Sequence, residues 1–321
     1  MTGISSTTRT LVGTAIALGV SLGAMQAALA EAVKIGGVRG SYTLPIWVAI
    51  DKGFFKEQGL DVEFVDTRDF TQMMSAVVGG SIEFGNPDYI SFAAAVSQGL
   101  DVRLVAPVSA QPTSQDDDGA PITVLASSDI HGPKDMAGKK FGVTAPQGTS
   151  GSQAKEWLKR AGVDVNGVQF VAVAPAQMAP ALELGDIDAA YIVEPYTTSF
   201  YETGEARAIG YPNSEIFAGR ALTGLIATQK YISENPQTVE KIAAGLRKAI
   251  EWMNENDAES RTVLPAYTQF DAAIADKIKL YTWQAEATAA DVQLVVDFAS
   301  EYGLLQNPVD VSKYLAPTMA R

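Results

Sequence analysis

The segment Gly80-Ser81-Ile82-Glu83-Phe84-Gly85-Asn86-Pro87-Asp88-Tyr89 constrains the fold more than any other part of the chain, because a variant of it returns about a hundred residues later. The second copy reads Gly185-Asp186-Ile187-Asp188-Ala189-Ala190-Tyr191-Ile192-Val193-Glu194-Pro195-Tyr196. Each is a helix-ending glycine, a short apolar-alternating strand and a polar residue beside a proline. A buried strand that ends in such a turn delivers polar groups to the carboxyl edge of a sheet, where open α/β sheets hold their ligands. Two copies imply two sheets with facing edges, and therefore a cleft that closes on something small.

Residues 1–30 stand apart from this pattern. Arg9 is their only charge, an uncharged run extends from Leu11 to Ala30, and Ala28-Leu29-Ala30 precedes Glu31. A basic n-region, an apolar h-region and an A-x-A site define a secretory signal peptide, cleaved after Ala30. A membrane anchor would need about 20 predominantly apolar residues. This run approaches that length, but it is rich in Gly, Ala, Ser and Thr and ends in a clean small-residue site. The mature chain, residues 31–321, is expected to be a soluble periplasmic monomer.

Lys and Arg number 24 against 37 Asp and Glu, a net charge of −13 that grows more negative once Arg9 is removed. Such a surface repels phosphate backbones and anionic lipid, which argues against nucleic-acid and membrane-surface partners. Cysteine is absent. An exported chain without disulfides must be held by its core, and one of this length can do so as two domains. The same absence removes thiol catalysis, thiolate metal sites and a lipid-anchored N-terminus.

Strand and helix then alternate. Val33–Val38 reads as a strand, and Ile46, Ala49, Ile50 and Phe54 fall at helical spacing until Gly59. Val62–Val65 alternates as a strand, Met73, Met74 and Val77 mark a helix ending at Gly79-Gly80, and Ile82–Phe84 is a strand. A helix through Ala93–Val96 and a strand Val102–Val105 complete the first unit. Strands separated by helices of about 10–15 residues build parallel βαβ units. At Gln111–Gly119 the pattern breaks into a polar, turn-forming stretch, read as the first crossing between domains. Its triplet Asp116-Asp117-Asp118 reads as a solvated loop, since the spaced ligands and closing Glu of a calcium loop are missing. The second unit holds strands at Lys139–Thr144, Val168–Val173 and Ala189–Val193, with a helix carrying Ala154, Trp157, Leu158 and Ala161 on one face. Past Pro212 the chain is expected to return to the first domain through a strand at Gly224–Thr228. A helix then starts at Asn235-Pro236 and carries Val239, Ile242, Ala243, Leu246, Ala249, Ile250 and Met253 on one stripe. Helices around Ala272–Tyr281 and Ala289–Tyr302 follow. A chain that leaves a domain and comes back makes a two-stranded hinge.

The segments Ala49–Glu63, Asp135–Val143 and Gly185–Ala189 resemble the ABC-transporter periplasmic solute-binding proteins for nitrate, alkanesulfonates, taurine and thiamine-precursor pyrimidines. The likeness runs through essentially the whole mature chain, including Glu301-Tyr302-Gly303-Leu304. These motifs mark the family and are silent about the ligand. The resemblance implies an α/β, two-lobed periplasmic-binding-protein fold of type II, each lobe a central sheet flanked by helices. Lobe I would comprise residues 31–111 and 222–321, and lobe II residues 112–221. It also implies a permease in the inner membrane as partner, and no cofactor.

Ligands of that family lie between the lobes, on loops after the parallel strands. The matching loops make Arg39, Ser41, Tyr42, Asn86, Asp88, Gln111, Thr149, Ser150, Gly151, Glu194 and Tyr196 the candidate ligand-binding residues. Ser150, Gly151 and Ser152 would open a helix with free backbone N–H groups, whose dipole favours a carboxylate, sulfonate or ring carbonyl. Ser152 also fits as the cap of its own helix. Glu194 would accept from an amine or ring N–H, or from the backbone of its own turn. The ligand role is the expectation, because two polar-proline turns facing one cleft call for a reason. Asp88 also fits as a helix cap, and Tyr42 and Tyr196 as packing rather than stacking groups. Trp47 and Trp157 sit at core-compatible spacing.

Catalysis is not expected. The one histidine, His131, lies in the turn His131-Gly132-Pro133, and no serine has a G-x-S-x-G context. Hydroxymethylpyrimidine phosphate synthases share the fold, but they rely on histidine and cysteine-rich motifs that are missing here. A sensor that presents ligand to a membrane kinase is the other rival. With Glu194 and Asp88 as acceptors and Arg39 and the Gly148–Ser152 turn as donors, amino-sulfonates and pyrimidine-like or other heteroaromatic solutes are expected ahead of nitrate.

Overall fold

The structure is a computed structural model describing Thr2 and residues 30–146, 148–268 and 272–319. The expected leader, Thr2 and Ala30 aside, lies outside the described residues, as does Gln147. Among the described residues the strands are β1 (Glu31–Gly37), β2 (Leu60–Asp66), β3 (Phe84–Gly85), β4 (Val102–Ala110), β5 (Ile122–Leu125), β6 (Lys140–Val143), β7 (Gln169–Ala172), β8 (Ala189–Tyr191), β9 (Ala206–Gly210), β10 (Ala221–Thr228) and β11 (Thr282–Trp283). They form two sheets, ordered β11-β4-β10-β3-β1-β2 and β7-β6-β8-β5-β9, each flanked by helices.

The pairing is parallel for β1 with β2 and β3, and for β6 with β7 and β8. The strands that carry the chain between the lobes run against their neighbours. β10 opposes both β3 and β4, and β5 opposes β8 and β9, so the sheets are mixed rather than purely parallel. β4 ends at Ala110 and β10 begins at Ala221, which is its ladder partner. Past them the Gln111 N–H donates to the Arg220 carbonyl at 2.8 Å, and the Gly219 N–H to the Gln111 carbonyl at 3.2 Å. The two crossing segments thus leave the first sheet side by side as a two-stranded hinge.

The recurring segment is the same corner built twice. Each preceding helix ends on a left-handed glycine, Gly80 at φ 72° and Gly185 at φ 74°, a conformation that glycine adopts without steric cost. The next two amides fold back onto one carbonyl: Ser81 and Ile82 onto Ala76, Asp186 and Ile187 onto Ala181. Ile82 and Ile187 then fill notches left by glycines in the adjoining strand. A Cβ at Gly36 would lie 2.2 Å from Ile82 Cδ1, and one at Gly142 would lie 2.5 Å from Ile187 Cδ1. The following acid accepts the amide of the strand lysine: Lys34 N–H to Glu83 Oε2 at 2.7 Å, Lys140 N–H to Asp188 Oδ2 at 2.8 Å. Lys34-Ile35-Gly36 and Lys140-Phe141-Gly142 therefore hold equivalent places.

The expected helix face from Val239 to Met253 is buried along the helix Pro236–Glu255, and Trp47 and Trp157 are buried as well. The C-terminal helix Ala289–Glu301 packs on the helix Tyr89–Ser97. Just beyond it the Tyr302 hydroxyl donates to Glu156 Oε2 at 2.7 Å, reaching the second lobe. No described helix is long and apolar enough to cross a membrane.

Three local expectations are corrected. The helix read from Ile46 to Phe54 breaks into Leu44–Asp51 and Phe54–Glu57, because Gly53 turns left-handed at φ 77°. The helix read through Ala272–Tyr281 stops at Ala275. Beyond it the chain turns, the Lys277 and Ile278 amides donating to the Ile274 carbonyl, and then leads into β11 with Ile278 and Leu280 buried and Lys277 and Lys279 exposed. Asp118 is buried rather than solvated. Its carboxylate accepts from the Ala120 N–H, the Ser214 N–H and hydroxyl, and Asn213 Nδ2, tying one crossing segment to the other.

Ile82 and Ile187 are 3% and 2% exposed. Ile82→Ala and Ile187→Ala are each expected to cost about 2–5 kcal/mol. As the sites lie in different lobes, the double variant should lose the sum to within about 0.5 kcal/mol. Chemical denaturation of the three variants checks this.

Candidate functional site

The loops after β1, β3, β6 and β8 meet between the sheets and line two adjoining chambers. The inner one encloses about 240 Å³ and is walled by Val38, Phe70, Met73, Asn86, Asp88 and Thr149, with Thr223 and Leu222 from β10. The outer one encloses about 570 Å³ and is lined by Arg39–Tyr42, Ala174–Ala176 and Val193–Tyr196. Tyr42 and Tyr281 belong to both. Their rings meet edge to face, centroids 6.3 Å apart at 75°, between the two volumes.

At the inner chamber, Asn86 is 3% exposed and its Nδ2 donates to the Gly224 carbonyl at 3.3 Å. That bond fixes the amide, and Oδ1 has no protein partner. A buried acceptor left unpaired costs about 1–3 kcal/mol, and Asn86 is among the residues that wall the chamber. Asp88 caps the helix Tyr89–Ser97, accepting the Ser91 N–H at 3.0 Å and the Ser91 hydroxyl at 2.6 Å. The capping reading is realised, and Asp88 lines the chamber at the same time. Burial pushes its carboxyl above the ordinary range against the pull of the Ser91 bonds. The Tyr42 hydroxyl donates to the Val38 carbonyl at 3.2 Å. Burial chiefly, then the nearby Asp88 and Asp66, raises the Tyr42 phenol, so it stays a neutral donor. No Lys or Arg stands among the residues lining the inner chamber.

Other expected residues take different places. Arg39 pairs with Asp66 at 2.9 Å and donates to the Tyr267 carbonyl, so its guanidinium is largely engaged at the outer chamber. Ser41 is buried in the turn Ser41–Thr43 and Tyr196 is exposed; both line the outer chamber. Gln111 shares a void of about 20 Å³ with Asp88, Tyr89 and Thr149 beneath the inner chamber. Neither Gln111 Oε1 nor the Tyr89 hydroxyl has a protein partner.

The Gly148–Ser152 turn differs from expectation. The helix runs from Thr149 to Arg160 with Gly148 at its cap, so Ser152 lies inside the first turn and does not cap it. The Gly151 amide donates to the Ala145 carbonyl and the Ser152 amide to the Gly148 carbonyl, so neither is a free donor. Ser150 Oγ sits 2.8 Å from Thr144 Oγ1 and accepts the Ala145 N–H at 3.3 Å. Ser150 and Gly151 build the turn, and Thr149 alone of the three lines the chamber.

Glu194 lines the outer chamber, and its carboxylate is bonded by protein donors. Its Oε1 accepts the Thr198 hydroxyl at 2.7 Å and the Lys279 N–H at 3.0 Å, while Oε2 accepts the Thr198 N–H at 3.0 Å. Protein donors thus occupy most of a carboxylate with about four acceptor sites. Burial raises its pKa against those bonds.

Tyr281 is a cleft-lining residue that the sequence reading missed. The alternation from Lys277 to Leu280 separates buried from exposed positions, but nothing local marks the following tyrosine as cleft-facing. Thr223, Phe70 and Met73 carry no chemical signature beyond strand and helix periodicity. Among the described residues no group of three or more His, Asp or Glu is placed to hold a metal ion.

Two α/β lobes joined by paired crossing strands and facing each other across a polar cleft form a two-lobed periplasmic-binding-protein fold. The chain belongs to the NMT1/THI5-like family, whose model matches residues 41–260. A protein of Brucella abortus named as a binding protein is 28% identical over 247 residues, covering 74% of this chain and 73% of the relative. The formylaminopyrimidine-binding protein of Halalkalibacterium halodurans is 27% identical over 226 residues, 68% of this chain and 64% of that one. The periplasmic aliphatic sulphonate binding protein of Escherichia coli superposes with a TM-score of 0.74 at 20% identity, covering 90% of this chain and 98% of that one.

The raised carboxyl of Asp88 gives a signed pH test. Between its unfolded value near 3.8 and its higher folded value, the native state holds a proton that the unfolded chain has released. This contribution therefore makes stability rise as pH falls through that window. Asp88→Asn keeps an acceptor for the Ser91 amide and abolishes the titration. Melting curves from pH 7 down to 4 should show the variant lacking that rise relative to the parent chain.

Proposed function

We propose that the protein is the periplasmic solute-binding component of an ABC importer, closing its lobes over a small polar organic solute and passing it to a membrane permease. The observation that carries this reading is the buried, partnerless Asn86 Oδ1 in an inter-lobe chamber walled by Tyr42, Tyr281, Phe70 and Met73. Relatives named as binding proteins support it, as does a leader of export type ahead of residue 31. The paired crossing strands support lobe boundaries at about residues 111/112 and 221/222. The solute acts alone, without a cofactor, on a monomeric receptor.

The chamber's chemistry ranks the solutes. Its inner end offers acceptors, Asn86 Oδ1 and Asp88, and aromatic and thioether surface, with no cation to neutralise an oxyanion. A simple inorganic anion would meet a buried carboxyl there, an unfavourable pairing in a low-dielectric cleft. A planar solute with ring N–H or amine donors fits: donors inward, and any acidic or carbonyl end outward towards Arg39. Pyrimidine-like heteroaromatics therefore stand first, amino-sulfonates second and nitrate last. The carboxylate donated by Glu194 in the earlier ranking is committed to protein donors, and Asn86 takes over its part as acceptor.

A synthase on this fold is the enzyme alternative. The single histidine is exposed in its turn, with Nδ1 3.4 Å from Arg207 Nη2, and does not line either chamber. The cleft offers binding groups rather than a nucleophile with its base. A ligand-presenting sensor would use the same cleft and differ only in the partner that reads it.

Thermal-shift screening of pyrimidines, amino-sulfonates, sulfonates, aromatic acids and nitrate tests the reading. A true ligand at 100 times its dissociation constant adds about 2.7 kcal/mol, and small-angle scattering should then show a smaller radius of gyration as closed forms are selected. Asn86→Leu should weaken the best ligand by about 1–3 kcal/mol in calorimetry. Unchanged affinity in a folded variant would remove Asn86 from the site.

A further inference from the structure

Glu194 stands where the outer chamber meets a second cavity, of about 350 Å³, on the hinge side of the cleft. It follows β8 in lobe II, whereas Lys279 leads into β11, an edge strand of the first sheet. The Glu194–Lys279 hydrogen bond at 3.0 Å therefore joins the lobes. Neighbouring contacts run the same way. The Lys277 ammonium pairs with Glu202, and the Thr198 hydroxyl lies 3.5 Å from the Lys277 carbonyl. The first crossing segment is fitted beneath. A Cβ at Gly119 would stand 2.8 Å from Glu194 Cγ and 2.9 Å from the Lys279 carbonyl. Two residues beyond Lys279, Tyr281 meets Tyr42 between the inner and outer chambers.

We propose that Glu194 is a positioning residue: its carboxylate fastens the segment Lys277–Tyr281 of lobe I to lobe II, and so sets both the closure of the cleft and the place of Tyr281 at the mouth of the inner chamber. Three donors converge on the carboxylate, two from Thr198 and one from the opposite lobe. Hydrogen bonds to an ionised acceptor are about twice as strong as neutral ones, and this one spans the surface that must separate for solute to enter. Strap and solute are thus coupled, since each favours the same arrangement of the lobes. The role of Tyr281 rests on the proposed reading of the cleft as a solute site, but the strap itself does not.

The chain has no cysteine, so a single pair can be introduced for labelling. Val78→Cys and Leu184→Cys place probes at exposed positions, one in each lobe, beside the equivalent glycine corners. Pulsed electron–electron distance measurements without solute should give a shift to longer inter-lobe distances in Glu194→Ala. Glu194→Gln keeps one acceptor oxygen for the Lys279 amide and turns a donor towards the Thr198 amide, so a smaller shift is expected. Gly119→Ala, whose methyl group would crowd both Glu194 Cγ and the Lys279 carbonyl, should shift the distribution in the same direction. If Glu194→Ala fails to fold, the Gln and Gly119 variants decide. An unchanged distribution in the folded variants would overturn the strap. Failure of every screened solute would overturn the solute reading and leave the distance result standing.

Discussion

Each lobe depends on one hydrogen bond that is made twice. A carboxylate, Glu83 or Asp188, accepts the amide of a strand lysine, Lys34 or Lys140, directly after an isoleucine has filled a glycine notch in that strand. The bond fixes where the strand begins relative to its neighbour. Because side chains alternate along a strand, a slip of one residue would send every buried group to the wrong face. With the register set, the carboxyl ends of β3 and β8 arrive at the cleft, and Asn86 and Glu194 arrive with them. The pins lie ahead of the cleft-edge turns, yet they help determine which residues face the cleft.

At the cleft edge the two copies diverge. In lobe I the turn after β3 buries Asn86 with one oxygen unsatisfied and uses Asp88 to cap a helix. In lobe II the turn after β8 spends its carboxylate on Thr198 and Lys279. The same local device therefore leaves an unpaired acceptor on one side and a well-bonded carboxylate on the other. Polar groups that are fully satisfied rigidify their surroundings, whereas one left unpaired in a low-dielectric site is costly until a partner arrives.

Much of the architecture could be read from the sequence because it rests on local rules. Glycines at helix ends, the isoleucines that follow them and the stripe from Val239 to Met253 all act within a few residues of themselves. What escaped was set by distant partners. β10 inserts antiparallel between β3 and β4 because of where the chain returns, which no periodicity announces. Asp118 is buried because Asn213 and Ser214 meet it from the other crossing segment. Tyr281 reaches the cleft because the short β11 pairs with the end of β4. Of the candidate residues, Tyr42, Asn86, Asp88 and Thr149 converge on the inner chamber, while Ser150 and Gly151 shape the turn that presents Thr149. That division turned on which amides were already bonded, a three-dimensional fact.

The paired crossing strands have a mechanical meaning. Two strands hydrogen-bonded edge to edge make a ribbon, compliant across its thin dimension and stiff within its plane. Sliding one strand past the other would break the Gln111–Arg220 and Gly219–Gln111 bonds, whereas bending both together leaves them intact. Such a ribbon gives the lobes a single inexpensive rotation and resists twist and shear. Any movement of one lobe against the other is therefore steered by the joint along a single arc.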